Sequence, residues 1–221
     1  MAIFSPILGD LRGSIGDNTF SSNKGGPYVR RRGIPTNPQS SRQTQTRTHL
    51  GSLASHWTST LNQAERDGWD VYAQGHPIKN SLGADILISG LAWFVKANAR
   101  LLDAGEVAIE TAPVGVAPAG LTAFSVDVSA ITTADVTFTV TPTAADQRIQ
   151  LFASLPVSLG SLPNLAQCRL VGYSTVAQAS PWAATMPHNV PTGLREVFYA
   201  AVMTDEGLIS AYLQAIDDVD Y

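Results

Sequence analysis

The arginines are the residues of this sequence whose number and spacing indicate a chemical role. That role is the binding of anions. Arg30, Arg31 and Arg32 are consecutive. On a strand, Arg31 faces away from its two neighbours, so no single face carries all three charges. Three roles stay open: contact with acidic surfaces of other subunits, contact with phosphate groups, and a solvated basic surface. The full set of candidate assembly or phosphate-contact residues is Lys24, Arg30, Arg31, Arg32, Arg42 and Arg47.

The histidines and the cysteine form no recognisable catalytic or metal site. His49 and His56 are seven residues apart on one predicted helix, about 10 Å along its axis, which is too far to share a small metal centre. We expect His76 and His188 to face solvent, and Cys168 to be a small strand residue that forms no intramolecular disulfide. The sequence also lacks G-x-S-x-G and phosphate-loop patterns. It therefore predicts no enzyme, no metal and no cofactor.

Charge is divided unequally along the chain. Residues 1–50 have seven basic and two acidic side chains, a net charge of +5, whereas residues 51–221 have seven basic and 16 acidic side chains, a net charge of −9. Asp217, Asp218 and Asp220 form an acidic tail that we expect to be solvated, with docking onto the basic arm of a neighbouring copy as the alternative. A basic arm thus precedes an acidic body.

Membrane insertion and secretion are not expected. The longest apolar stretch, from Ile86 to Val95, is interrupted by Ser89 and Gly90 and falls short of the roughly 20 residues that a spanning helix needs. The first residues have no basic region that leads into an unbroken apolar run.

The sequence predicts an α+β chain of several segments. Residues 1–36 are expected to form an extended basic arm with a β-hairpin, in which Gly13 to Phe20 and Tyr28 to Arg32 flank a Gly-containing turn. A ribbon with so little apolar surface is marginal alone in water. We therefore expect this arm to lie against another subunit or another protein.

Residues 37–104 are predicted to be helical. Asn37 as N-cap and Pro38 at the first position indicate a helix that ends near Ser59. A capping box over 60–63 opens a second helix, and a third runs from about Ala84 to Leu102, with Gly105 as its C-cap. The aromatic residues at helical spacing are expected to form a helical core or interface: Trp57, Trp69, Trp93 and Phe94.

Residues 105–120 are predicted to be a linker, because Pro and Gly interrupt them and nothing in them is periodic. Beyond it, residues 121–221 alternate with the period of strands, and Asp205-Glu206-Gly207 is the clearest hairpin turn. Six or seven short strands predict an antiparallel β-sandwich. The run from Phe198 to Ala215 resembles a fibronectin type III or related immunoglobulin-like module.

A more specific resemblance covers roughly residues 10–100. The elements that carry it are Gly13 to Phe20, Gly26 to Arg32, Pro35 to Pro38, Gln43, Arg47, Trp57, Leu61, Ala64 to Trp69 and Ser89 to Asn98. In this order they resemble small structural proteins encoded among the virion genes of tailed bacteriophages. The resemblance implies a non-enzymatic subunit located in the virion, in the head, neck or tail. Its expected partners are other copies of itself and other virion proteins.

Two alternative functions stay open. The chain could be an internal virion protein that contacts packaged DNA through its basic arm. Without a helix-turn-helix, zinc finger or aromatic-rich nucleic-acid motif, that contact would be non-specific and made to the DNA backbone. The sandwich could instead bind glycans of the host surface, for which Trp182 and Tyr173 are the candidates.

Overall fold

The fold is β-rich α+β, with three α-helices and several antiparallel sheets in the part of the chain that can be described. The computed structural model describes residues 2–3, 12–23, 26–33, 36–79, 83–130, 132–140 and 146–220. Contacts divide the chain into two compact units, residues 1–44 and residues 45–221.

The first unit is a small antiparallel sheet. Its strands are β1 (Ala2–Ile3), β2 (Gly13–Ile15), β3 (Asn18–Asn23) and β4 (Gly26–Arg31), in the order β1-β4-β3-β2. The predicted hairpin is present, since β3 pairs with β4 throughout. The prediction of one extended segment from Gly13 to Phe20 was wrong, because a turn at Gly16 and Asp17 folds it into β2 and β3. Gly16 has a φ of +57°, which glycine adopts without a steric cost.

The helices are α1 (Ser41–Ser59), α2 (Gln63–Gly75) and α3 (Gly90–Asp103). The prediction that α1 begins at Asn37 and Pro38 was wrong, because Gln39 has a φ of +46°. Instead, the Ser40 hydroxyl accepts a hydrogen bond from the Gln43 amide at 3.4 Å.

The starts of the other two helices also differ from prediction. The capping box lies two residues later, where the Asn62 side chain accepts from the Glu65 amide and the Glu65 carboxylate accepts from the Asn62 amide. The third helix begins at Gly90 rather than Ala84, with Ser89 as its N-cap. Before it, β5 (Ile78–Lys79) pairs with β6 (Asp85–Ile86). The C-cap of α3 is Ala104 rather than the predicted Gly105, which follows it with a φ of +82°.

Residues 121–218 contain two antiparallel sheets. One has the order β11-β8-β7 and the other the order β10-β9-β12-β13. The bounds are β7 (Leu121–Ala130), β8 (Thr133–Val140), β9 (Gln147–Ala153), β10 (Arg169–Tyr173), β11 (Trp182–Thr185), β12 (Arg195–Thr204) and β13 (Leu213–Asp218). Buried side chains from both sheets, among them Val128, Leu151, Phe198 and Val202, form one hydrophobic core.

The helices pack directly against the end of the second sheet. The turn at 205–207 is present as predicted, with a φ of +73° at Gly207. A methyl group on Gly207 would lie 2.6 Å from the carbonyl oxygen of Ala97 in α3. The Arg100 guanidinium donates to the Gly207 carbonyl at 3.2 Å, and Leu208 belongs to the helical core. α3 and this turn therefore form one packed interface.

A buried acid and a buried imidazole meet near the start of β12. The Nε2 of His188 lies 2.8 Å from a carboxylate oxygen of Glu196, whose side chain is fully buried. Burial, together with a smaller effect of the nearby Asp217, raises the pKa of Glu196 to about 8. Burial also lowers the pKa of His188, as does the nearby Arg169. The raised pKa of Glu196 and the lowered pKa of His188 together favour a pair in which both side chains are uncharged. The prediction that His188 faces solvent was wrong.

Three further positions differ from prediction. His76 is half-buried and stacks on Tyr72 with ring centroids 3.9 Å apart, so it does not simply face solvent. The acidic tail is mostly part of β13, where Asp218 forms a bidentate pair with Arg195 and Asp217 accepts from the Val128 amide. Cys168 precedes β10 rather than lying within a strand.

Gly207→Ala should cost far more stability than the same change at Gly193. Both residues have positive φ, +73° and +78°, but only at Gly207 would a methyl group meet backbone. We expect Gly193→Ala to lower the free energy of unfolding by about 1 kcal/mol and Gly207→Ala by on the order of 3 kcal/mol. Urea unfolding of the two variants measures this difference. Equal losses would show that α3 and the turn do not approach closely.

Glu196→Gln should change how stability depends on pH. The unfolded carboxyl loses its proton near pH 4.5 and the folded one near pH 8. This group therefore stabilises most below about pH 4.5, and its contribution falls up to pH 8 by at most about 1.4 kcal/mol per pH unit. As the pH rises from 4.5 to 8, the free energy of unfolding of the variant should therefore increase relative to that of the wild type. Urea unfolding at several pH values measures this difference.

The control for this measurement is Glu110→Gln, which removes the carboxylate of the more exposed His56–Glu110 pair, 3.3 Å apart. Its difference from the wild type should stay within about 0.5 kcal/mol, because exposed pairs contribute little. Parallel curves for the wild type and Glu196→Gln would contradict the buried neutral pair.

Candidate functional site

The predicted cationic residues lie on the exposed surface wherever the structure describes them. Arg30 and Arg31 are the last residues of β4, Arg32 follows the strand, and all three are exposed. Arg42 and Arg47 are exposed on α1. Lys24 lies outside the described residues.

The strand register divides the arm into two faces. Phe20 lies opposite Val29, and Thr19 lies opposite Arg30. Because side chains alternate along a strand, Arg31 shares the face of Phe20 and Val29, whereas Arg30 lies on the other face. Ile15 shares the face of Arg31 by the same register and is 66% exposed. This face, here called the apolar face of the arm, carries Ile15, Phe20 and Val29 beside the polar Asn18, Ser22 and Arg31.

The arm has no core of its own among its described residues. No side chain described between residues 12 and 44 is buried, and the best covered ones, including Phe20, Tyr28 and Val29, are only half-buried. Small sheets need one face covered by apolar packing for stability in water. The described residues of 12–44 therefore form a sheet without a buried core of its own.

Within the second unit, an arginine holds the end of α1 against α2. Arg66 donates from Nε to the Trp57 carbonyl at 2.9 Å, and from Nη2 to the Thr58 and Leu61 carbonyls at 3.0 and 2.8 Å. The last carbonyls of a helix have no partner within the helix. Arg66 therefore caps α1 at its C-terminus and fixes the corner between the two helices.

A glycine allows α3 to contact α2. The Gly90 amide donates to the Asp70 carboxylate at 3.0 Å, and a methyl group on Gly90 would lie 2.7 Å from the Asp70 backbone nitrogen. Any larger residue at this position would separate the helices. This contact explains the Ser-Gly pair at the start of the run from Ser89 to Asn98.

Two side chains hold the predicted linker in place. The buried Asn98 donates to the Ile109 carbonyl at 3.1 Å and accepts from the Ile109 amide at 2.6 Å. The Trp69 indole donates to the Glu110 carbonyl at 2.8 Å. Residues 105–120 contain no helix or strand, yet their first part is bound to the helices by these contacts.

The four predicted aromatic residues lie together. Phe94 is fully buried, with ring centroids 5.4 Å from both Trp57 and Trp69. Trp93 contacts Tyr72 edge-to-face, also at 5.4 Å. Leu87 and Leu91 are exposed, because α3 begins only at Gly90 and turns Phe94, Ala97 and Leu101 inward.

The two glycan candidates are engaged in packing and hydrogen bonding. Trp182 is half-buried against the core shared by the two sheets. The Tyr173 hydroxyl accepts from the Gln150 amide at 2.8 Å. They lie in different sheets, on β11 and β10.

Sequence reasoning missed several residues that shape this region. An Asn three residues before a Glu was a usable signal for the capping box at Asn62. The partners of Arg66 and Gly90 are set by tertiary contacts and had no such signal. In the described part of the chain, no three His, Cys, Asp or Glu side chains cluster as metal ligands. No described helix has the length and apolar character to cross a bilayer.

Comparison with known proteins adds no family to these observations. No protein family matches the sequence, and no curated protein matches it significantly.

Proposed function

We propose that this chain is a structural protein of a tailed-bacteriophage particle. It assembles in multiple copies through its N-terminal arm and helices, with other copies of itself and with other virion proteins of the head, neck or tail. The observation that carries the proposal is the absence of any buried side chain among the described residues of 12–44. A sheet of that kind gains its stability from a surface that another subunit supplies.

The apolar face of the arm fits such a surface. Ile15, Phe20 and Val29 share one face by the strand register, next to Arg31. Covering them would remove apolar area from water at about 25 cal/mol per Å². Segments that become ordered on binding can wrap a partner in this way.

Charge favours the acidic body of a neighbouring copy as the partner of the arm. Residues 51–221 have a net charge of −9 and residues 1–50 a net charge of +5. Complementary charge brings subunits together and selects their orientation. The same chain thus supplies both sides of an arm-to-body contact.

The sandwich of residues 121–221 fits the fibronectin type III-like class. Its first, second and fifth strands form one sheet, and its third, fourth, sixth and seventh form the other. Two antiparallel sheets over one core are compatible with the sandwich architecture that fibronectin type III modules share with immunoglobulin domains. We assign it the role of a rigid body that presents the arm and helices.

Contact with packaged DNA is the second candidate, favoured by the exposure of Arg30, Arg31 and Arg32. The two candidates differ in what the arginines bind. DNA binding would be independent of sequence and would weaken steeply with salt. Protein contact also requires the apolar face.

Charge reversal at Arg30, Arg31 and Arg32 should weaken assembly. We expect sedimentation velocity to show oligomers of the wild type that grow with concentration. The triple Glu variant should need at least about tenfold more protein for the same degree of assembly, because the net charge of residues 1–50 changes from +5 to −1 (5 − 6 = −1) and no longer attracts the acidic body. Hydrogen exchange should show the amides of β2 to β4 protected only in the assembled protein.

The matched control is the triple Lys variant, which keeps the charge and should retain most of the assembly. A wild type that stays monomeric at every concentration, with protected arm amides, would contradict the proposal. Loss of salt-sensitive binding to a random DNA duplex, with assembly unchanged, would favour the DNA candidate instead.

A further inference from the structure

A cavity of about 300 Å³ lies between α2, α3 and the segment after the 205–207 turn. Its walls include Tyr72, His76, Trp93, Lys96, Arg100 and Leu208. The volume is at the lower end of the range of small-molecule sites. All of its lining residues belong to the second unit, so a ligand bound in this cavity is independent of the proposed role of the arm in the virion.

One wall of the cavity is aromatic and held in place. His76 stacks on Tyr72 at 3.9 Å between ring centroids, and its Nδ1 lies 2.8 Å from the Tyr72 carbonyl. The Trp93 indole donates to the His76 carbonyl at 3.2 Å. The aromatic rings are therefore fixed before any ligand arrives, which lowers the entropy cost of binding.

The charged part of the cavity wall consists of two cations on one face of α3. Lys96 and Arg100 are four residues apart, so their side chains are neighbours on the helix surface. The Lys96 ammonium lies 4.2 Å from the centroid of the Trp93 ring, and Arg100 donates to the Gly207 carbonyl. Both cations border the cavity.

These cations have no carboxylate in contact among the described residues. Other cations of the body do, as in Arg148 with Glu106 at 2.7 Å and Arg195 with Asp218 at 2.6 Å. Burial lowers the pKa of both Lys96 and Arg100, and Arg100 lowers that of Lys96 further. Glu206 lies close enough to help raise the pKa of Tyr72, yet it pairs with neither cation. A partly buried cation without a counter-charge is costly.

We propose that this cavity binds a small organic oxyanion that has a planar ring, an aryl phosphate or an aryl carboxylate. The anionic group lies at Lys96 and Arg100, and the ring lies against Trp93, His76 and Leu208. Charge-assisted hydrogen bonds supply the contact to the oxyanion. The apolar and aromatic wall supplies the contact to the ring.

Isothermal titration calorimetry with phenyl phosphate tests this proposal, with benzoate, inorganic phosphate and benzyl alcohol as comparison probes. Phenyl phosphate and benzoate should bind at least tenfold more tightly than inorganic phosphate, which lacks the ring, or benzyl alcohol, which lacks the charge. Binding should also quench tryptophan fluorescence, because the ring contacts Trp93. Inorganic phosphate binding as tightly as phenyl phosphate would overturn the proposal.

Lys96→Met is the diagnostic variant, since it keeps an aliphatic stem over Trp93 but removes the charge. It should weaken phenyl phosphate binding about tenfold, whereas Lys96→Arg should retain it. Lys79→Met is the matched control, because Lys79 pairs with Asp85 at 2.8 Å and does not line the cavity. Equal binding by the Lys96→Met and Lys79→Met variants would overturn the proposal, as would no binding of phenyl phosphate up to about 10 mM.

Discussion

Helix α3 packs on two sides, and residues 45–221 depend on both contacts. On one side, Gly90 brings it against α2 at Asp70, and Phe94 fills the aromatic core. On the other, the Ala97 backbone lies so close to the 205–207 turn that only glycine fits at position 207. Close packing of this kind tolerates little change in volume. α3 therefore holds the helices and the sheets together, although the sequence predicts them as separate segments.

The N-terminal arm, in contrast to α3, is not held by buried side chains. Its strands satisfy backbone hydrogen bonds with one another, but none of its described side chains between residues 12 and 44 is buried. Backbone hydrogen bonds contribute only modestly to net stability, since water offers the same bonds to the unfolded chain. A sheet with this composition gains most from a covering surface. This physical reason connects the lack of a core to a role in assembly.

Local patterns in the sequence predicted most strands of residues 121–218 and the 205–207 turn, because alternation and turn chemistry depend on neighbouring residues alone. They did not predict β11, and β13 begins only at Leu213. Helix starts were harder, since Asn37 and Ser40 are both good N-caps and the choice between them depends on the backbone at Gln39. The burial of Glu196 had an unused signal, because it shares the inward parity of Phe198 and Ala200. Its meeting with His188 had none, since that contact is set by the fold.

The cavity shows why hydrophobic periodicity alone describes α3 incompletely. Phe94, Ala97 and Leu101 are buried, whereas Lys96 and Arg100 border the cavity, and Trp93 belongs both to the core and to the cavity wall. A helix with a second, half-buried face of cations does not maximise its own stability, because each charge loses water without gaining a carboxylate. Residues 51–221 have 16 acidic side chains, so carboxylates that could pair with these two cations are present in the same part of the chain. Since neither Lys96 nor Arg100 contacts one among the described residues, an external anion is the counter-charge that this face lacks.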